Sequence, residues 1–447
     1  VSGLGADRAA DRIRGPGPRF REGGFAEGRN PAAPRLGGAA STQEINREGV
    51  ARKTFRLLFA PGERGQRIRL SDHVQGGTIM SKKVVVSTVL LALSVGVGVA
   101  VSGEPTAKET LGKLIFFDEN LSLNSNQSCA TCHAPEAGWT GPTSFINEHG
   151  AVYEGSIPGA FGDRKPPSSA YATQSPILHV DKKGVFVGGN FWDGRATGER
   201  LGSPAAEQAL GPFLNPKEQA LETPDDVVTR VCASSYASLF MTVWGADACS
   251  DKDAYDYIGL SIAAYEASPE VNAFTAKYDW SMQGKAKLTQ LERRGFALFQ
   301  GKGKCSKCHV SEGRAPLFTD YTYDNLGIPK NPENPVYDSN PGFIDLGLGG
   351  YLATRTDYYA DYADANMGKH KVPTLRNVDL RLFDGGVKAY GHNGYFKTLE
   401  GIVHFYNTRD VLPKCPGDGT PYTEAQALDA NCWPAPEVAA NLNTREL

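Results

Sequence analysis

The sequence predicts a mainly α fold made of two tandem domains, and three observations carry that expectation. The pattern Cys-x-x-Cys-His occurs twice, as Cys129–His133 and Cys305–His309. Each copy follows a segment with helical apolar spacing, Leu111-Gly112-Lys113-Leu114-Ile115-Phe116-Phe117 and Leu291 to Phe299, and both segments contain Gly-x-x-x-Phe. Strand signals are sparse, and the remainder reads as short helices joined by loops, with 51 Gly and 28 Pro among 447 residues. That length is two or three domains at about 150 residues each. A boundary is expected near Trp280 to Gly284, which gives domains 104–280 and 281–447.

Composition narrows the function. A net charge of −3 with 22% charged residues gives no basic excess, so no nucleic acid is expected as a partner. Ten per cent aromatic residues and a mean hydropathy of −0.35 exclude both a polytopic membrane protein and a wholly disordered chain.

Taken in chain order, residues 1–79 differ in kind from the rest. They hold 14 Lys+Arg against 8 Asp+Glu, show no sustained apolar period, and read as a non-native or disordered upstream segment, with Met80 the expected start. Lys82-Lys83 then precede a mostly apolar run, Val84 to Val101, that ends in Ala100, Ser102 and Gly103. Residues 80–103 therefore read as a secretory signal peptide, which sends the chain to an oxidising, periplasmic compartment, with surface association as the variant in which the run is not cleaved.

The eight cysteines divide accordingly. Four lie in the two motifs, and the others fall as Cys232 with Cys249 and Cys415 with Cys432, each pair 17 apart in polar, turn-rich stretches that suit local disulfides. The motif itself suits covalent attachment of c-type haem. Two thiols three residues apart project from one side of a helical turn, where both can add to the porphyrin vinyl groups, and the next residue, His133 or His309, is left under the iron. A zinc knuckle is disfavoured because neither motif has a second Cys/His pair at zinc spacing. Two covalent haems, one in each of two cytochrome c-type domains, are expected.

Several further motifs occur in a fixed order. Phe191-Trp192-Asp193-Gly194-Arg195-Ala196 is followed by Gln208 to Glu218, then by Lys371-Val372-Pro373-Thr374-Leu375-Arg376-Asn377, and then by His392-Asn393-Gly394-Tyr395-Phe396. On these residues the chain resembles the bacterial dihaem cytochrome c peroxidase and MauG superfamily over 105–447. The resemblance implies that the haem on His133 meets H₂O₂ and that the haem on His309 exchanges electrons. Trp192 would couple the two, Glu218 would be the acid of the peroxide pocket, and Gln208 its neighbour. Relative to the classical peroxidases this chain has about six extra residues between Trp192 and Gln208, and the resemblance also implies one Ca²⁺ between the domains, held largely by main-chain carbonyls.

The chemistry asks for the same residue types. Cleaving a peroxide needs a group that takes the proton from the near oxygen and returns it to the departing one, which a carboxylate in a partly dry pocket can do. A solvated Glu218 at a helix start and a plain core Trp192 are the alternatives. Asp193-Gly194-Arg195 reads equally as an ion-paired turn or as a haem propionate anchor. His149, 16 residues after His133, is a candidate removable ligand of the first iron, and His392 matches a family histidine that packs near the second haem. His179, His370 and His404 receive no role. Tyr406, 14 residues after His392, stands where the peroxidases place a methionine and MauG-type enzymes a tyrosine, so it is the expected distal ligand of the second haem; the alternative is Met367 or water.

The reaction expected from the resemblance is peroxide reduction with electrons from a small redox protein, a cytochrome c or cupredoxin. A MauG-like oxidation of a partner protein is the second reading, and a dihaem electron carrier the third. The resemblance leaves a homodimer open. No amphipathic helix follows Cys432 to Pro436, so the second domain is expected to be truncated at its C-terminal end.

Overall fold

The computed structural model describes residues 103–417 and 421–440. The upstream segment, Met80 and nearly all of the 80–103 leader lie outside the described residues, as do residues 441–447.

Thr106 starts helix α1 (Ala107–Phe116). Its hydroxyl accepts from the Glu109 amide at 3.2 Å while the Glu109 carboxylate accepts from the Thr106 amide at 2.6 Å, a reciprocal cap for two of the free donors of the first turn. Leu111, Gly112, Ile115 and Phe116 form its buried face. The first motif supplies the short helix α2 (Cys129–Cys132), and α3 (Ser144–Glu148) follows. A two-residue antiparallel ladder pairs β1 (His179–Val180) with β2 (Phe186–Val187). Then come α4 (Pro204–Leu214), α5 (Pro224–Ala233), α6 (Ala237–Trp244) and α7 (Ala254–Glu266).

Helix α1 crosses α7, and the crossing depends on Gly112. A Cβ at that position would stand 1.9 Å from the Ser261 carbonyl oxygen, so only glycine lets the two backbones meet. Around the crossing Phe116, Trp139 and Tyr265 contact one another edge-on, and Phe213, Phe240, Ile258 and Ile262 complete the largest apolar core. The Cys232–Cys249 disulfide fastens the end of α5 to the segment before α7.

In the rest of the chain α8 (Lys277–Met282) precedes α9 (Gln290–Gln300), which Thr289 and Glu292 cap as Thr106 and Glu109 cap α1. Next come β3 (Tyr323–Asp324), α10 (Val336–Ser339), α11 (Gly347–Leu352) and β4 (His370–Lys371), followed by α12 (Leu399–Thr408) and α13 (Glu424–Asp429). The β3–β4 ladder sets Tyr323 opposite Lys371 and Asp324 opposite His370. One apolar cluster joins Leu178 and Phe186 to Tyr323, Leu348, Leu352 and Tyr359; another joins Tyr395, Phe396 and Phe405 to Trp433 beside the Cys415–Cys432 disulfide. Arg376 and Asp279, both almost fully buried, pair through two parallel hydrogen bonds of 2.8 and 3.1 Å and tie α8 to the Lys371–Asn377 segment. The architecture is mainly helical, with two short ladders among the described residues.

Candidate functional site

Both motif histidines are prepared in the same way. His133 Nδ1 lies 3.2 Å from the Trp139 carbonyl oxygen, and His309 Nδ1 lies 2.8 Å from that of Phe318. A carbonyl can only accept, so Nδ1 carries the proton and the Nε2 lone pair is left to face a metal. Burial pulls the His133 pKa down to about 4 and lowers that of His309, which keeps both rings in the neutral form that ligates.

Around His133 opens a crevice lined by Cys129, Cys132, Gln208, Glu218 and, from α7, Ile262 and Glu266. The structure thus brings together five of the residues singled out in the sequence. Asn215 Nδ2 donates to Glu218 Oε2 at 2.8 Å, which fixes the carboxylate in place, and burial raises its pKa, so Glu218 is a stronger proton acceptor than a solvated glutamate. Burial also pushes the Cys129 thiol up to about 12, reinforced by Glu266 and Glu218. Three buried oxygens on this lining, Gln127 Oε1, Gln219 Oε1 and Glu266 Oε2, have no partner within the protein. Such orphans suit a crevice that a bound group fills.

Glu266 escaped the sequence reading. Desolvation alone raises its pKa to about 8. Its sequence signal is positional: Ile258, Ile262 and Glu266 follow at four-residue intervals, so the acid continues the buried stripe of α7. A larger open groove beside Lys113, Phe117 and Arg230 brings no ligating or redox set together.

Trp192 is buried between the two motif regions. Its indole donates to the Lys165 carbonyl at 2.8 Å, and its own carbonyl accepts from the Lys371 amide at 2.8 Å, two residues before the Pro373 that lies against His309. The Asp193-Gly194-Arg195 turn is ion-paired: Asp193 Oδ2 takes Arg164 Nη1 at 2.6 Å and Arg195 Nη1 at 2.8 Å.

At the second motif Cys308 Sγ donates to Asp324 at 3.4 Å, and Cys305 is exposed. Tyr406, on α12, faces this motif: burial raises its pKa first, followed by the charges of Cys308, Asp324 and Cys305. Met367 is engaged elsewhere, packed against the apolar cluster around Leu348 and Leu352.

His149 does not join the crevice. Its ring is exposed, tilted by 37° against the Phe145 ring at 4.5 Å, with Nδ1 2.8 Å from the Phe145 carbonyl. His392 and His370 are brought together in a way the sequence did not suggest. Their rings stack 3.6 Å apart and nearly parallel (8°), and His370 Nε2 lies 3.2 Å from Asp345 Oδ2. These three side chains have the residue types of a metal site. However, Arg164 already binds both Asp345 oxygens at 2.7 Å, so Asp345 is held in a buried ion pair beside the two rings.

Residues 106–287 match the family model described as di-haem cytochrome c peroxidase. The chain is 34% identical over 354 residues to the methylamine utilization protein MauG of Paracoccus denitrificans, covering 76% of this chain and 83% of the relative. It is 30% identical over 307 residues to the cytochrome c551 peroxidase of Nitrosomonas europaea, covering 68% and 74%. The crystal structure of the diheme peroxidase BthA from Burkholderia thailandensis matches with a TM-score of 0.60 at 31% identity, over 68% of this chain and 73% of that one. With the crevice, the two oriented histidines and these relatives in agreement, the chain belongs to the dihaem cytochrome c peroxidase and MauG family and is an oxidoreductase acting on peroxide.

Proposed function

We propose that the protein reduces H₂O₂ at a haem carried by Cys129, Cys132 and His133, with electrons entering through a second haem carried by Cys305, Cys308 and His309. Each haem would sit in its own cytochrome c-type domain, 104–280 and 281–447. The donor sets fit covalent haem c: two thiols on one turn, a neutral imidazole with Nε2 free, and orphaned oxygens lining the first crevice. When bound, the haems supply redox-active iron that passes two electrons to the peroxide.

The chain's own residues handle the protons. Reducing H₂O₂ to two waters consumes two electrons and two protons and breaks the O–O bond, so a group must move a proton from the inner oxygen to the outer one. Glu218 does this, with Oε2 held by Asn215 and the rest of the carboxylate facing the crevice. Gln208 orients the peroxide beside it. Trp192, buried and bonded to Lys165 on one side and Lys371 on the other, couples the two haems.

The observation that carries this reading is the convergence of Glu218 and Gln208 on the His133 crevice, which an electron carrier would not need. Glu218→Gln tests it. Both haems should be retained by mass spectrometry while peroxide consumption falls by roughly 10² to 10⁴ fold, the usual worth of general acid–base help. Unchanged turnover would remove the assignment.

A second reading, MauG-like oxidation of a partner protein, is favoured by Tyr406 at the second motif with Met367 packed elsewhere. A phenolate is anionic and stabilises the oxidised iron, so this haem would be a poor acceptor from a high-potential cytochrome c or cupredoxin. Tyr406→Phe should alter the ferric spectrum attributable to the second haem and leave peroxide binding at the first unchanged; an unaltered spectrum would exclude tyrosine ligation.

Export to the periplasm is supported by the two disulfides and by a leader-like run at 80–103, and no helix of the described residues is long and apolar enough to cross a membrane. The partners are then H₂O₂ and either a small redox donor or a protein substrate, with assembly as a homodimer left open. For the expected Ca²⁺, the oxygens that converge between the two motif regions are already occupied by lysine.

A further inference from the structure

Four lysines of the described residues donate from the ammonium to two or more neutral oxygens and to no carboxylate. Lys388 Nζ donates to the carbonyls of Ala137 (3.0 Å), Asn377 (3.0 Å) and Leu380 (2.9 Å). Lys397 Nζ donates to those of Asn147 (3.0 Å), Gly394 (2.8 Å) and His149. Lys165 Nζ reaches Thr140 Oγ1 (3.0 Å) and the Pro166 carbonyl (2.9 Å), and Lys371 Nζ reaches Ser175 Oγ (2.6 Å), Asn190 Oδ1 (3.0 Å) and the Gly189 carbonyl.

Three of these cages join distant parts of the chain, and those of Lys388 and Lys397 reach the segments after the first motif. Ala137 is 251 residues from Lys388, and Asn147 is 250 from Lys397. They hold the two segments that follow the first motif, the turn Pro135–Ala137 just past His133 and the end of α3 leading to His149. At the same place a Cβ on Gly138 would come within 2.9 Å of Asn377, so the segments are in backbone contact.

Main-chain carbonyls and amide oxygens are also the donors a hard divalent cation takes. An ammonium with three donors satisfies three such oxygens and supplies the charge they face. We infer that Lys388 and Lys397, backed by Lys165 and Lys371, are the resident cations of this junction, and that the chain binds no Ca²⁺ there. Burial already strains these charges: it draws Lys165 and Lys371 down to about 7 and Lys388 and Lys397 to about 8, and the Lys388 charge lowers Lys165 further. A divalent ion beside Lys165 and Lys388, whose charges already oppose one another, would add repulsion. The first-motif segments, with His149 outside the crevice, are therefore held without a metal. The inference takes from the family reading only the expectation of Ca²⁺.

The test uses the dihaem holoprotein dialysed against EGTA. Elemental analysis should find iron without stoichiometric calcium, and added CaCl₂ should leave Tm unchanged, since a ligand that binds the native state raises it. Lys388→Met should lower Tm by about 3–8 °C, the loss of charge-assisted hydrogen bonds in a chain of this size. Lys397→Met serves as the second variant should the first not fold. One Ca²⁺ retained per protein after EGTA, a Tm of the wild type that rises with CaCl₂, or wild-type Tm in both variants would overturn the inference. Haem content and peroxide turnover of the same samples report separately on the proposed function, which fails if either is absent.

Discussion

Helices α1 and α9 carry the same Gly-x-x-x-Phe spacing and the same Thr/Glu cap, yet they meet opposite surroundings. Gly112 lies at a backbone crossing with α7, and its neighbours Leu111, Ile115 and Phe116 are buried. Gly295 has open space where a Cβ would stand, no residue of α9 is buried, and Leu291 is 78% exposed. A local pattern can start a helix and orient its apolar stripe, but only a second element can bury the stripe. The same contrast extends to the two motifs. The first is walled by α4 and α7 and holds two raised carboxyls, whereas at the second, Cys305 is exposed and Tyr406 is partly open.

Substitution at the two glycines breaks the comparison most directly. Gly112→Leu must separate α1 from α7 and should cost about 3–5 kcal/mol or prevent folding, as overpacking plus lost core burial dictates. Urea unfolding of the holoprotein would show it, and a midpoint within error of the wild type would mean that the crossing is not close.

Glu266 gives the next effect, through pH. Its pKa is raised by burial to about 8 from 4.5, so below pH 4.5 both folded and unfolded states are protonated and nothing is lost. As pH rises from 4.5 to 8 the unfolded chain ionises and the folded protein does not, and stability falls across that window by up to a few kcal/mol. Glu266→Gln should remove that slope, so the variant gains on the wild type between pH 5 and 8. A difference that stays flat across this range would show that Glu266 ionises freely. At the second motif Asp324 is also raised by burial, but it accepts from Cys308, and a smaller pH effect is expected from Asp324→Asn.

Gly295→Ala should give the smallest change, a gain of about 0.5–1 kcal/mol, because an exposed helix interior rewards alanine with no contact to disturb. A loss instead of a gain would reveal that another surface covers α9 in solution.

The chemistry was legible in the sequence wherever a few adjacent residues suffice for it. Two thiols and a histidine on one turn suit haem attachment, cysteines 17 apart find each other in a short loop, and a threonine three residues before a glutamate starts a helix at both α1 and α9. Glu218 and Gln208 were found through an ordered set of motifs, and the fold then brought them to one crevice with His133. Tertiary structure alone decided the rest. It turned Glu266 from one more residue of an amphipathic helix into a buried acid of raised pKa beside the first motif, left His149 on the surface, stacked His370 on His392, and set Lys388 and Lys397 among carbonyls some 250 residues away. Burial and long-range hydrogen bonding set those roles, and both depend on which distant segment arrives at a side chain, a quantity that no local spacing encodes.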